Sequence, residues 1–87
     1  MSDRRRHYES HLSSAAAAFV IGLPRCKQRL VLDLADQLAA HPFQVSDYRE
    51  TDAAGRMVEN LLCDGYLFSY WVDHASREVR ITDIIKI

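Results

Sequence analysis

Glycine, proline and cysteine are scarce in this chain, with three, two and two residues among 87. So few backbone breakers exclude a collagen-like or low-complexity protein, and 48% hydrophobic with 26% charged residues excludes a disordered one. Cys26 and Cys63 are too few for a disulfide framework, so both read as reduced thiols of a cytoplasmic protein. No apolar run nears the ~18 residues of a membrane span. The longest, Ala15 to Ile21, has seven, and the basic start leads into polar residues rather than the apolar stretch of a secretory signal. The length supports one domain over 7–87 behind a flexible basic tail at 1–6.

The formal net charge of −1 offers no global attraction for nucleic acid. Its distribution is uneven. Residues 1–29 hold six cations (Arg4, Arg5, Arg6, Arg25, Lys27 and Arg29) against Asp3 and Glu9, whereas the rest hold five basic and ten acidic residues. Such a dipole suits an acidic ligand or a complementary partner, and equally an ordinary solvated surface.

Tyr8 and Leu12 are the large apolar residues of a short first strand over His7–Leu12. Ser13 and Ser14 can cap a helix through Ala15–Ile21 that stops at Gly22. Pro24 suits the first turn of a second helix running to about Ala40, before His41-Pro42. Its apolar stripe comprises Cys26, Leu30, Val31, Leu34, Ala35 and Leu38. Beyond Pro42 the period changes to two. Val45–Thr51 reads as an edge strand or a loop, and Asp52-Ala53-Ala54-Gly55 as a turn. Arg56–Cys63 and Tyr66–Asp73 form a hairpin around Asp64-Gly65, and Glu78–Ile85 a last strand.

A tight turn at Asp64-Gly65 sets Cys63 opposite Tyr66, Leu62 opposite Leu67 and Leu61 opposite Phe68. One sheet face then carries Met57, Leu61, Cys63, Tyr66, Phe68, Tyr70 and Val72. The other carries Val58, Leu62, Leu67 and Trp71 around Asn60 and Ser69. Antiparallel sheets usually wet one side, so Val58, Leu62, Leu67 and Trp71 form a candidate interface for the N-terminal segment, a second copy or a partner chain. Incomplete alternation closed over by loops is the alternative.

The order of a strand, two helices and an antiparallel meander resembles the RelE/ParE toxin superfamily. Three stretches carry the resemblance: LPRCKQRLVLDLADQLAAHPF (Leu23–Phe43), GYLFSYWVD (Gly65–Asp73) and EVRITDIIKI (Glu78–Ile87). It implies an α+β fold and the toxin half of a type II toxin–antitoxin module, of the kind tied to plasmid stabilisation. It further implies an antitoxin wrapped on the helices and sheet, with ribosome-bound mRNA or DNA gyrase as the target. RelE-like members cleave mRNA with basic and tyrosine side chains and no metal. The chain departs from that ribonuclease pattern. Leu67 stands where the family has an arginine, Val58 and Asn60 where it has a basic pair, and Lys86-Ile87 offer no counterpart to its last arginine. The resemblance therefore implies action through protein binding, with ribonuclease activity at a rearranged site of Tyr48, Arg49, Arg56 and Arg80 as one alternative. The second apolar face of the sheet supplies another, a homodimeric module sealed through Leu62, Leu67 and Trp71.

Tyr48, Arg49 and Arg56 flank the predicted turn and, with Arg77 and Arg80, are the candidate nucleic-acid contacts; solvated surface arginines are the competing reading. Trp71 can stack a base or anchor an interface. His7 and His11 have a zinc-like spacing, but on a strand they lie about 13 Å apart. Asp47, Glu50 and Asp52 read as a solvated acidic loop, and Cys26 and Cys63 as core thiols. No catalytic residue is assigned, and no metal or cofactor is expected.

Overall fold

The computed structural model describes residues 8–87. The basic tail, and His7 with its zinc pairing, lie outside the described residues. The elements are β1 (Glu9–Leu12), α1 (Ser14–Ile21), α2 (Arg25–Ala40), β2 (Tyr48–Thr51), β3 (Met57–Cys63), β4 (Tyr66–Asp73) and β5 (Glu78–Lys86). They form one five-stranded sheet in the order β1-β5-β4-β3-β2, antiparallel except where β1 runs parallel to β5. Both helices lie on the front of the sheet and pack chiefly against β5 and β1.

Local chemistry explains each boundary. Ser13 caps α1, its Oγ accepting from the Ala16 amide at 3.1 Å and donating to the Thr82 carbonyl at 2.7 Å. One side chain thus starts the helix and pins it to β5. Ser14 is the first helical residue, so one of the two expected serine caps acts. Pro24 stands just before α2, its carbonyl accepting from the Lys27 and Gln28 amides. Asp64 and Gly65 both adopt positive φ (51° and 82°), the requirement of a two-residue hairpin turn. The register around them is the expected one: Cys63 faces Tyr66, Leu62 faces Leu67 and Leu61 faces Phe68.

The core joins Ala16 and Val20 of α1 and Val31, Leu34, Ala35, Leu38 and Ala39 of α2 to Tyr66, Phe68, Tyr70, Val79, Ile81 and Ile84 of the sheet. Two expectations need correction. Cys26 extends the apolar stripe of α2 in sequence but is exposed, because the buried face of α2 begins a turn later at Leu30 and Val31. Met57 is on the core side of β3 yet 52% exposed, since β3 runs past the helical layer. Segment boundaries also moved slightly. Arg56 precedes β3, β5 reaches Lys86, and of Val45–Thr51 the part Tyr48–Thr51 is an edge strand, β2.

Candidate nucleic-acid and protein interface

The register converts the strands into rows across the reverse face, the side away from the helices. From the hairpin tip downward these are Leu62, Leu67 and Ile85; then Tyr48, Asn60, Ser69 and Asp83; then Glu50, Val58, Trp71, Arg80 and His11. Glu78 and Glu9 follow on the β5–β1 side.

The middle row is held by side-chain hydrogen bonds. Ser69 Oγ donates to Asn60 Oδ1 at 2.7 Å, and Asn60 Nδ2 donates to Glu50 Oε2 at 3.3 Å. Asn60 is only 1% exposed, so these bonds offset the desolvation of its amide. Below it, the Arg56 guanidinium lies 4.7 Å and that of Arg80 5.7 Å from the Trp71 ring centroid. Both arginines also have carboxylate partners. Arg56 Nε is 2.9 Å from Asp52 Oδ2, and Arg80 Nη2 is 2.5 Å from Glu78 Oε1. His11 Nε2 reaches the other Glu78 oxygen at 3.1 Å. His11, Ser13, Arg56, Trp71, Arg80 and Thr82 line a cleft of about 220 Å³. Two cations over an aromatic face suit an anionic or planar ligand.

The expected nucleic-acid residues do not form one cluster. Arg56 and Arg80 meet over Trp71, and Tyr48 shares their face one row above Trp71 and Arg80 on the β2 edge. Arg49 points to the front, where its Nε donates to Glu59 Oε1 at 3.0 Å. Arg77 sits in the β4–β5 turn with φ 56°. The expected interface residues divide too. Val58 is buried within the chain, Leu67 and Trp71 are half-buried, and Leu62 is half exposed, with Leu67 between it and Ile85. His11, Glu78, Ser13 and Thr82 are cleft residues that the sequence reading missed, because only the pairing of β1 with β5 brings them together.

On the front, a second hollow of about 220 Å³ is lined by Pro42, Phe43, Arg49, Met57, Val72 and His74 among others. Phe43 stacks on His74 with centroids 5.2 Å apart, and Tyr8 Oη lies 2.9 Å from His74 Nδ1. This clasp ties the α2–β2 loop to the residue before β1 and to the β4–β5 turn, which lie at the same end of the parallel β1–β5 pair. At the hairpin tip, the other end of β3 from Met57, Cys63 is half-buried, and desolvation together with Asp64 and Asp47 pushes its thiol pKa up, away from nucleophile chemistry. Among the described residues no group of three His, Cys, Asp or Glu is placed to hold a metal ion, and no helix is long and apolar enough to cross a membrane.

Comparison with protein-family profiles gives no match, and comparison with curated proteins gives none either. Among solved structures, the chain is similar to one in the toxin–antitoxin complex RelBE2 from Mycobacterium tuberculosis, with a TM-score of 0.73 and 17% identity. The likeness covers 93% of this chain and 99% of that one. It confirms the expected α+β architecture, a strand and two helices on an antiparallel meander, and the fold is RelE-like.

Proposed function

We propose that the protein is the RelE/ParE-like component of a type II toxin–antitoxin module and acts by binding a partner protein, an antitoxin segment that occupies the front of the sheet beyond the helices. One observation carries the reading: the helices cover the β1–β5 side of the front and leave the β3–β2 side bare. Met57 there is 52% exposed, Phe43 75% and Val45 86%. Next to them all four residues of the β2 edge are exposed. An extended segment can pair with that edge while its apolar side chains cover Met57 and Phe43. The fold likeness to a chain from a toxin–antitoxin complex supports the same reading.

The test is co-expression with the product of the adjacent open reading frame. Co-purification is expected, weakened at least about tenfold in Met57→Glu with Phe43→Ala. A monodisperse protein that retains no neighbouring product, and whose induction leaves growth unchanged, overturns the proposal.

A second reading, cleavage of mRNA, is favoured by the meeting of Arg56 and Arg80 over Trp71. Against it stand the positions where the family carries cations. Val58 and Asn60 are buried and uncharged, and Leu67 is half-buried, so none stabilises charge on a scissile phosphate. Cleavage in a translation extract that disappears in Arg56→Ala and Arg80→Ala establishes this reading; a gyrase supercoiling assay separates the other target class.

A further inference from the structure

We propose that the reverse face of the sheet is closed by a second copy of this chain, related by a two-fold axis that runs along β4. The proposal uses the face opposite the antitoxin groove and stands whether or not that reading holds.

The argument is one of self-complementarity. β4 is the central strand, so turning a copy over about β4 lays β3 against the partner's β5 and β2 against its β1. In the top row, Leu67 then meets its own copy, and Leu62 meets Ile85. All are partly or half exposed, so the contact is apolar on apolar. In the third row, Trp71 meets Trp71, and Glu50 on β2 comes over His11 on β1, beside Arg80. At the lower end Arg56, on the β3 side, comes over Glu78 and Glu9 on the β5–β1 side. Acidic groups thus fall on basic ones at both flanks. Near the axis like charges also meet: the Arg56 and Arg80 guanidiniums over Trp71, each already paired with a carboxylate of its own chain, and Asp73, whose Oδ1 holds the Ser76 amide.

The size is adequate for a reversible dimer. The rows hold about 16 positions spaced about 4.8 Å by about 6.8 Å, which gives roughly 500 Å² per copy, hence roughly 1,000 Å² in total, the threshold for a specific pair. Two sheets packed face to face keep their strands within about 30°, so the rows nearest the axis stay aligned. The second copy covers the Arg56–Trp71–Arg80 cleft, which makes dimerisation and nucleic-acid contact mutually exclusive.

Sedimentation of the full chain across micromolar concentrations tests this. A reversible shift from monomer to dimer is expected, with Leu67→Glu weakening it at least about hundredfold by opposing two carboxylates on the axis. Leu67→Cys, in a chain with Cys26→Ser and Cys63→Ala, should oxidise to a disulfide-linked dimer much faster than Ile21→Cys in the same background. Far-ultraviolet dichroism and a thermal melt confirm that each variant is folded. A monomer at every concentration overturns the proposal. So does a dimer indifferent to Leu67→Glu, or cross-linking through Leu67→Cys no faster than through Ile21→Cys. RNA retained by the monomer and unaffected by added chain assigns the face to nucleic acid instead.

Discussion

Replacing Asn60 by leucine isolates the polar row at the centre of the reverse face. The two side chains share the same branched heavy-atom skeleton, so the shape is kept and the hydrogen bonds carry most of the effect. Asn60 is 1% exposed and holds Ser69 Oγ at 2.7 Å and Glu50 Oε2 at 3.3 Å. Glu50 lies on the exposed edge strand, so its carboxylate returns to water at little cost. Ser69 is different: its half-buried hydroxyl loses its acceptor, a penalty of about 1–3 kcal/mol. Asn60→Leu alone should therefore destabilise by about 1–3 kcal/mol, whereas adding Ser69→Ala removes the orphan and restores most of the loss. Urea unfolding at low protein concentration, followed by the fluorescence of Trp71, the single tryptophan, gives all four corners of the cycle. With a slope near 1 kcal/mol per molar urea, the single variant should lose about 1–3 M in midpoint. Simple additivity of the two substitutions, within about 0.3 kcal/mol, refutes the reasoning.

Three further outcomes follow from other parts of the fold. Phe68 is fully buried in the central strand, so Phe68→Ala should cost about 3–5 kcal/mol in urea unfolding, a large fraction of a small domain's stability. The Asp52 carboxyl is held below its ordinary 3.8, chiefly by the Arg56 amide and further by the Arg56 guanidinium and the Ala54 amide. A depressed carboxyl stabilises above the unfolded value, so ordering of the β2–β3 turn should be lost as pH falls below 3.8, and amide exchange at Gly55 should lose that acid dependence in Asp52→Asn. Burial, with Glu59 nearby, pushes the Tyr70 phenol from 10.0 to about 12. A raised phenol stabilises fully below pH 10 and ceases to do so as pH climbs towards 12, a loss that Tyr70→Phe should abolish in alkaline unfolding.

The elements legible in the sequence are those whose signals are local. The Asp64-Gly65 pair needs positive φ at both residues, and that need fixed the register of β3 and β4 in advance. The stripe of α2 was legible for the same reason, but periodicity does not say where a helix overhangs its sheet, hence the error at Cys26. β2 was ambiguous because an edge strand exposed at all four residues has no burial alternation to display. The parallel pairing of β1 with β5 joins residues about seventy positions apart, and no local pattern encodes it. Since that pairing sets His11 beside Arg80, the cleft was visible only in fragments: Arg56 and Arg80 could be named, their common ring and their histidine neighbour could not.

Competition among ligands for the reverse face turns on what Arg56 and Arg80 already hold. Each guanidinium is paired internally, with Asp52 and with Glu78. A phosphate arriving at either must displace a carboxylate or share its cation, so part of the electrostatic gain is lost before binding begins. Two free cations on a single strand would release counterions with a logarithmic salt slope near −1.4. Internally paired ones should give a shallower slope, and Asp52→Asn should steepen it by freeing Arg56. A second copy meets a different balance, because Glu50 approaches His11 and Arg80 without evicting Glu78, and the Leu62, Leu67 and Ile85 contacts do not respond to salt in that way. Raising salt should therefore weaken nucleic-acid contact more than self-association. The reverse order of salt sensitivity would show that the two arginines are not committed to their carboxylates in solution.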